Sequence, residues 1–455
     1  MKRTSNGVKI MNYKLLIKNI TVFVGENFKR LDDVDILIEN DSIKKIGKNL
    51  KAAQAKIFDG RDFFVTPGFI NAHFHPGQQI NRGLCLGLNQ DEEMDFLHAT
   101  EKIKDSEMSY WLSAVAILEG LKSGTTCFQS VGSEIELQAR LYNQFKIRAI
   151  CVLMPKDIVA TDKKITVRAR TWETEERLRR AEEMRQKYHN DLVRVHFGVT
   201  NVRYASDKLI LGMQALAEKY DTYFHMHAAE GKLYVKKVLE RTGDRPIEHL
   251  HKIGALNHRI SLAHMTQLTT KEISYVAKSH SHVIHCPRSN SYLGVGVCPV
   301  YDLLKAGVNV ALGTDAAINN NSNEVRSEAS AAFHKISDQT GNPAAINYLD
   351  LFKMLTVSGA KAVGLDKQIG AIKKGKRADL VLWSKNDFPF IPGHNYLADL
   401  IFNDSCRAHT IFINGVKVLA NYKFLTINEQ EVKTAAKRLS KKYYQLVNQK
   451  ISRHT

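Results

Sequence analysis

Short apolar runs alternate with amphipathic stretches through the middle of the chain. The runs are rich in β-branched and aromatic residues and have the length of strands. The stretches between them, such as SYWLSAVAILEGLKSG and WETEERLRRAEEMRQKYH, place apolar residues at helical spacing. Strands alternating with helices over residues 67–364 predict a (β/α)8 TIM barrel rather than an open sheet. The eight predicted strands are FVTPGFINAH, GTTCFQS, FKIRAICVLM, LVRVHFGVT, TYFHMH, RISLAH, SHVIHC and NVALGTD.

Both ends of the chain have a different pattern, in which apolar and polar positions alternate with the period of a half-buried strand. Residues 13–66 contain YKLLIKNITVFV, DVDILIEN and SIKKIG, and the pattern returns near residue 365 with GKRADLVLW and HTIFINGVKVLAN. We therefore predict one small β-sandwich domain made from residues 1–66 together with 365–455, beside a barrel domain of residues 67–364. Residues 428–451 have helical spacing and predict a surface helix.

Composition is ordinary for a globular protein, with 44% apolar and 25% charged residues. No apolar run reaches the length of a membrane span, and the first residues lack the pattern of a secretory signal. The six cysteines contain no C-x-x-C pair, which favours reduced thiols over a disulfide framework. We expect a cytoplasmic protein that does not contact a membrane.

The net charge of +18 raises the question of a nucleic-acid partner. The basic residues are spread along the chain and are not interleaved with aromatic residues that would stack on bases. A solvated surface explains them, and we expect no nucleic-acid binding.

Residues able to bind a metal lie at the ends of four predicted strands. His73 and His75 end the first strand, and their spacing sends both side chains to one face. Such a pair alone is weak evidence for a metal site, because two polar residues at a strand end are common. His227, His264 and Asp315 end three further strands, and the active sites of TIM barrels lie at this end. Together the residues predict a metal site.

Imidazoles and a carboxylate with an open position for water suit a catalytic Zn2+, with Fe2+ as the alternative. A structural zinc site would more often use paired thiolates. Because a bound ion activates water, no serine or cysteine nucleophile is required. Cys286 in HCPRSN is an alternative nucleophile, although a buried thiol at a strand end is the simpler interpretation.

Glu230 follows the predicted strand TYFHMH, in the segment HAAE, where a carboxylic acid is well placed to move a proton near the metal. It could instead be a residue favoured at a helix start. His225 faces the same way as His227 but lies deeper in the strand, which favours a packed histidine over a ligand.

The motifs TPGFINAHFH, HMHAAEG, SLAHM, HCPRSN and LLKAGVNVALGTDAAINNNS together resemble the amidohydrolase superfamily, in the branch of adenosine-type and guanine deaminases and triazine hydrolases. The resemblance covers nearly the whole chain. It implies a homodimer in which one divalent metal is bound by His73, His75, His227 and Asp315. No lysine ends the strand RVHFGVT, so the carboxylated lysine of the binuclear relatives is missing.

The resemblance also implies roles in catalysis. His264 would hydrogen-bond the hydrolytic water or the developing oxyanion, and Asp315 would also take the proton of the water. Glu230 would protonate a ring nitrogen of the substrate. Metal-activated water would then attack the ring carbon, and ammonia would leave.

Two departures from the family pattern bear on the substrate. No acidic pair follows the Arg82-Gly83 step. Near Thr200, at the end of its strand, the chain also lacks a histidine that many nucleoside-acting relatives have there. A ribose-bearing substrate is therefore in doubt. Polar residues that could contact the substrate, each equally able to cap a loop, are Gln78, Gln79, Arg82, Thr200, Arg288 and Asn290.

We therefore expect a metal-dependent deaminase of a small amino-substituted nitrogen heterocycle of the purine, pterin, pyrimidine or triazine type. One alternative keeps the fold and the metal but hydrolyses a C–Cl, alkylamine C–N or amide bond. A non-catalytic barrel scaffold is the other alternative, and the complete set of ligands and proton carriers argues against it.

Overall fold

A computed structural model describes residues 13–158 and 171–451, and its strands form two sheets. The chain ends build the first sheet, from β1 (Lys14–Val24), β2 (Lys29–Glu39), β3 (Ser42–Gly47), β4 (Lys56–Asp59) and β5 (Phe63–Pro67), and later β14 to β17. The second sheet is a barrel of β6 (Phe69–Phe74), β7 (Thr125–Gly132), β8 (Arg148–Leu153), β9 (Val193–Gly198), β10 (Phe224–Ala228), β11 (Ile260–His264), β12 (His282–His285) and β13 (Asn309–Leu312). The last strands of the first sheet are β14 (Leu380–Ser384), β15 (Thr410–Ile413), β16 (Val416–Ala420) and β17 (Lys423–Phe424).

The eight barrel strands pair in chain order and in parallel, and each of the eight predicted runs overlaps one of them. The barrel closes where its first and last strands meet, through a bridge between Phe74 and Asp315. There the Asp315 N–H donates to the carbonyl of His73 at 3.0 Å, and the His75 N–H donates to the carbonyl of Asp315 at 3.1 Å. Residues distant in sequence are thereby joined at the top of the barrel.

Alternation along the barrel strands separates an interior from an outer face. On β6, Phe69 packs outward into the main core with the helices, whereas Ile70 belongs to a smaller cluster. That cluster fills the barrel interior with small and branched side chains, among them Ile70, Ala72, Cys127, Ile150, Val152, Ala263, Ile284 and Ala311. The interior is therefore packed, and a ligand can enter only above the strand ends.

Helices surround the barrel and cover the outer faces of its strands. None of the helices in the described ranges is both long and apolar enough to cross a membrane. The first nine are α1 (Gln90–Thr100), α2 (Ser106–Lys122), α3 (Ile135–Phe145), α4 (Thr171–Tyr188), α5 (Asp207–Lys219), α6 (Lys232–Thr242), α7 (Pro246–Lys252), α8 (Thr270–Lys278) and α9 (Pro287–Tyr292). They are followed by α10 (Val300–Lys305), α11 (Val325–Thr340), α12 (Tyr348–Leu355), α13 (Val357–Ala362), α14 (Tyr396–Phe402) and α15 (Glu429–Ile451), and 3-10 turns span Pro76–Asn81, Glu101–Ile103 and Phe388–Phe390.

Both chain ends contribute to the smaller sheet, which is mostly antiparallel. Strand β5, from the beginning of the chain, pairs with β14, from its end, in antiparallel register from Phe63 opposite Ser384 to Pro67 opposite Leu380. The predicted fold class, a TIM barrel with a small β unit built from both ends, is confirmed. The domain boundaries at 66/67 and 364/365 stay a prediction.

The helix predicted near the end of the chain is α15, and it packs on the barrel side. Leu439, Tyr443 and Val447 lie in one buried cluster with Ile80 and Met108. The exposed face of α15 carries lysines and arginines. The last helix therefore supports the turn Pro76–Asn81, which directly follows His73 and His75.

A buried ion pair connects the lower end of the barrel to the smaller sheet. Arg148, the first residue of β8, donates from Nε to Asp379 Oδ2 at 2.5 Å and from Nη2 to Oδ1 at 3.1 Å. Asp379 also accepts the Asn414 N–H at 2.7 Å, and both charged side chains are almost fully buried. The fork geometry of the guanidinium satisfies both carboxylate oxygens, which offsets the cost of burying the charges.

Removing the carboxylate should leave a buried guanidinium without its partner. We expect Asp379→Ala to lower the free energy of unfolding by about 3–5 kcal/mol, measured by denaturant titration. Adding Arg148→Met should restore part of this loss, because the unpaired charge is then absent. Glu183→Ala, which breaks the exposed pair with Arg179, serves as the control and should cost less than about 1 kcal/mol. Equal effects of the two single variants would contradict a structural role for the buried pair.

Candidate active site

The metal-competent residues predicted from the sequence meet at the upper end of the barrel. His73 lies on β6, His227 on β10 and His264 at the end of β11, while Asp315 follows β13. One nitrogen or oxygen atom from each of these four side chains lies within 4.8 Å of the others. Residues from separate strands thus surround one point, as the sequence predicts.

His75 approaches the same point from the turn after β6. Its Nε2 lies 3.4 Å from Asp315 Oδ1 and 3.4 Å from His227 Nε2. His73 Nε2 is also 3.4 Å from Asp315 Oδ1. The carboxylate oxygen therefore lies between the two histidines of the H-x-H pair.

The donor set fits a divalent metal ion. Nε2 of His73 and Nε2 of His264 are buried and have no hydrogen-bond partner in the described structure, which is costly unless another group pairs with them. Burial lowers the pKa of His73 and His227, and it lowers that of His75 to about 3, so the imidazoles stay neutral and keep a lone pair. Neutral imidazoles beside a carboxylate are suitable ligands for zinc or a similar ion.

Backbone contact fixes the ring of His227. Its Nδ1 lies 2.8 Å from the carbonyl oxygen of Thr200, which can only accept a hydrogen bond. Nδ1 must therefore carry the proton, and Nε2 keeps its lone pair toward His75 and Asp315. The Thr200 hydroxyl donates to the carbonyl of Met154 at 3.0 Å. Thr200 thus orients a candidate ligand as well as lining the cavity.

His225 lies behind His73 rather than beside the point where the ligands converge. Its Nε2 is 2.8 Å from His73 Nδ1, and its Nδ1 is 2.7 Å from the Ser261 hydroxyl. Both ring nitrogens are therefore engaged. This placement agrees with the interpretation of His225 as a packed histidine that supports a ligand.

Glu230 lies beside the cluster and is buried. Burial raises the pKa of its carboxyl group to about 7, because the charged form is poorly solvated. Oε1 of Glu230 is 3.7 Å from His264 Nε2. A carboxyl group that is partly protonated at neutral pH can donate a proton to a bound molecule.

A cavity of about 550 Å³ opens above these groups, which is a suitable size for a small molecule. His75, His227, Glu230, His264 and Asp315 form its floor. Its walls include residues that the sequence analysis did not identify, namely Asn81, Gln90, Glu93, Met94, Leu153, Leu293, Asn319 and Tyr443.

Of the six predicted substrate contacts, Gln78 and Thr200 line this cavity. The other four side chains make contacts within the protein: Gln79 accepts from Asn323 at 2.8 Å, Arg82 pairs with Glu119 at 2.5 Å, Arg288 lies 3.5 Å from the carbonyl of Asn320, and Asn290 is 2.9 Å from His264. Cys286 is fully buried, and burial raises the pKa of its thiol, so it has no nucleophilic character.

Glu93 supplies an acidic group that the sequence analysis expected to be missing. Helix α1 starts with a capping box formed by Asn89 and Glu92, which fixes its first turn and directs Glu93 into the cavity. Burial, together with a smaller effect of the nearby Asp315 carboxylate, raises the pKa of the Glu93 carboxyl to about 8. Acidic residues are common in the exposed first turn of a helix, and α1 has three of them there. The local sequence therefore gave no reason to single out Glu93.

The closed parallel barrel and the histidine–aspartate cluster at its upper end define a metal-competent hydrolase site. The family model of amidohydrolases matches residues 64–418, which is most of the chain. The chain therefore belongs to the amidohydrolase family, whose members hydrolyse carbon–nitrogen bonds other than peptide bonds.

Curated relatives cover almost the full length of the chain. A 5-methylthioadenosine/S-adenosylhomocysteine deaminase of Thermococcus sibiricus is 33% identical over 410 residues, which are 89% of this chain and 94% of the relative. A 5'-deoxyadenosine deaminase of Methanobrevibacter smithii is 28% identical over 428 residues, covering 93% and 97% of the two chains.

Solved structures agree with the fold. An adenosine deaminase from Xanthomonas campestris with bound zinc superposes with a TM-score of 0.86 at 25% identity, covering 96% of this chain and 99% of that one. An atrazine chlorohydrolase from Arthrobacter aurescens in complex with zinc has a TM-score of 0.86 at 21% identity and covers 94% of this chain and all 100% of its own. The second similarity supports the architecture alone.

The site should hold a single divalent ion. We expect about one metal per chain in the purified protein, measured by elemental analysis, because no lysine lies at the end of β9 to bridge a second ion. His227→Ala should lower the metal content strongly, whereas His251→Ala, which removes an exposed histidine of α7, should not. A content near two, or an unchanged content in the His227 variant, would contradict this ligand set.

Proposed function

We propose that this chain is a metal-dependent hydrolytic deaminase of an amino-substituted nitrogen heterocycle, and that an adenine nucleoside is the favoured substrate. The observation that carries the proposal is the position of Glu230. A buried carboxyl group with a raised pKa lies next to the candidate metal ligands and faces the cavity. A proton donor at this place suits a heterocycle whose ring nitrogen must be protonated before an amino group can leave.

His73, His75, His227 and Asp315 are the proposed ligands. When bound, a divalent ion makes water a nucleophile at neutral pH by lowering its pKa. The unpaired and buried Nε2 of His73 supports this assignment, since it lacks any other partner in the described structure.

The side chains around the ligands divide the proton transfers between them. Asp315 is held ionised, because the histidines keep its pKa well below the usual value despite its burial, so a carboxylate oxygen is available to accept a proton. His264 directs Nε2 toward the cavity floor, where it can hydrogen-bond a reacting oxygen. Glu230 donates a proton to the ring nitrogen, and with that proton the carbon beside it becomes more electrophilic.

The relatives support an adenine nucleoside as the substrate. Two of the relatives that match almost the whole chain are named as a 5-methylthioadenosine/S-adenosylhomocysteine deaminase and a 5'-deoxyadenosine deaminase. A volume of about 550 Å³ leaves room for a base with a substituent. The missing histidine near Thr200 argued against a ribose-bearing substrate. The relatives outweigh that argument, because the cavity wall contains Glu93, a polar residue that the sequence analysis did not anticipate.

Glu93 is the proposed contact for sugar hydroxyls. Within the described residues its carboxyl group accepts one side-chain hydrogen bond, from Asn319 at 3.2 Å. A buried carboxyl group has capacity for more hydrogen bonds than this one. A hydroxyl-bearing substrate would supply them, whereas a free base would leave the group incompletely paired.

The activity can be tested by measuring ammonia release from aminopurines, adenine nucleosides, aminopyrimidines, pterins and aminotriazines. We expect release from adenine nucleosides by the zinc-loaded protein. Glu230→Gln should lower kcat by roughly 10²–10⁴-fold, because it removes the proton donor and keeps the shape of the side chain.

Two controls complete this experiment. Asp315→Asn should abolish release, and Glu183→Gln, on the exposed face of α4, should leave it unchanged. Full turnover by the Glu230→Gln variant would refute the assigned proton donor. Product formed from a chlorinated or alkylated heterocycle without ammonia would show that the barrel expels a different leaving group.

The role of Glu93 predicts a change in substrate preference. Glu93→Gln should lower kcat/KM for an adenine nucleoside by about 10-fold, since a buried polar group left without its hydrogen-bond partner costs about 1–3 kcal/mol. The value for the matching free base should change little. Steady-state kinetics on the two substrates distinguishes this result from a general loss of activity, and Glu92→Gln, in the same helical turn, is the matched control. Equal losses on both substrates would contradict the proposed sugar contact.

A further inference from the structure

We propose that the short helix α9 positions two reacting groups from different strands, with Ser289 holding the carboxylate of Asp315 and Asn290 holding the imidazole of His264. The roles of Asp315 and His264 rest on the proposed function. The hydrogen bonds of Ser289 and Asn290 are observed in the structure and do not depend on that function. Ser289 and Asn290 thus become positioning residues, and Asn290 is removed from the set of candidate substrate contacts.

Ser289 controls which oxygen of Asp315 faces the histidines. Its hydroxyl donates to Oδ2 at 2.6 Å, and the serine is fully buried. The other oxygen, Oδ1, is the one 3.4 Å from Nε2 of His73. A short hydrogen bond to one oxygen therefore prevents rotation of the carboxylate and keeps the second oxygen directed at the candidate metal position.

Asn290 controls the orientation of the His264 ring in the same way. Its side-chain oxygen lies 2.9 Å from His264 Nδ1 and accepts the proton of that nitrogen. Nε2 is then the ring atom left to face the site, where it lies 3.7 Å from Glu230 Oε1 and has no hydrogen-bond partner among the described residues. Without Asn290 the ring could rotate, because no other described residue is hydrogen-bonded to its Nδ1.

Consecutive residues can serve two strands because side chains on a helix diverge by about 100° per residue. Ser289 points toward the end of β13, and Asn290 points toward the end of β11. The register of α9 is therefore coupled to both groups at once. A shift of the helix would move Asp315 and His264 relative to each other.

A six-residue helix has little stability of its own, so its position depends on tertiary contacts. The main anchor is Glu328 on α11, a fully buried carboxyl group that accepts the Arg288 N–H at 3.1 Å. Glu328 also accepts from Asn320 at 2.7 Å, and the same Asn320 amide nitrogen donates to the carbonyl of Thr314 at 2.7 Å. One carboxyl group thus connects the start of α9 to the residue before Asp315, which fixes the distance that Ser289 spans.

The first test measures metal retention in the absence of substrate. Zinc-loaded Ser289→Ala should lose its metal to a chelator with roughly 10–100-fold weaker retention than the unmodified protein, since supporting hydrogen bonds contribute this much to metal affinity. Ser289→Thr keeps the hydroxyl and should restore most of the retention. Ser291→Ala is the matched control on the same helix, because its hydroxyl is bonded only to the carbonyl of Pro287 and faces solvent.

The second test separates orientation from binding. Asn290→Ala should lower kcat for the deaminated substrate by roughly 10-fold or more while KM changes little, because the ring of His264 is still present but no longer held. Circular dichroism and melting temperature would show that the variants are folded.

The metal-retention outcomes decide the role of Ser289 independently of the proposed function. Unchanged metal retention in folded Ser289→Ala overturns the role of Ser289 even if the protein is a deaminase. Weakened retention supports that role even if no deaminated substrate is found. An unchanged kcat in Asn290→Ala, or an equal loss of metal in Ser291→Ala, overturns the idea that α9 positions the two groups specifically.

Discussion

Closure of the barrel between β6 and β13 is the constraint on which the site depends. Two backbone hydrogen bonds, from Asp315 to His73 and from His75 to Asp315, join the first strand to the last. The same bonds bring the H-x-H pair to the carboxylate, although about half of the chain separates them in sequence. Closing the barrel between β6 and β13 therefore also assembles the candidate ligands. Loss of these two hydrogen bonds would separate His73 and His75 from Asp315.

The sequence predicted those parts of the molecule in which local pattern and position in the fold agree. His73, His227, His264 and Asp315 each end an apolar run, and parallel strands of a barrel bring such ends together, so the cluster followed from spacing alone. Glu93 and Tyr443 were missed because each reaches the cavity through the packing of a helix, α1 or α15, on the barrel top. Nothing in the local sequence shows which side of a surface helix will meet a cavity formed by remote strands.

The direction of a side chain was the other feature that the sequence could not supply. Gln79 and Arg82 follow the H-x-H pair as closely as Gln78 does, yet they turn toward Asn323 and Glu119. Neighbours in a 3-10 turn point about 120° apart, so proximity in sequence predicts closeness to the site without predicting access to it. Asn290 shows the same effect, because a polar residue beside a reacting group can support that group rather than bind the substrate.

Left-handed backbone conformations, which also occur in turns elsewhere in the chain, are found at two of the reacting groups and beside a third. Ala229, His264 and Asp315 have φ angles of 48°, 76° and 61°, in the left-handed region that costs non-glycine residues of the order of 1–3 kcal/mol each. Ala229 directly follows β10, His264 ends β11, and Asp315 lies three residues after the end of β13. A left-handed residue changes the direction of the chain, and at Asp315 this change lies beside the two backbone hydrogen bonds that close the barrel onto β6. The packed barrel interior below and the hydrogen bonds from α9 above hold these conformations, and rigidity around the site is therefore a condition for its geometry.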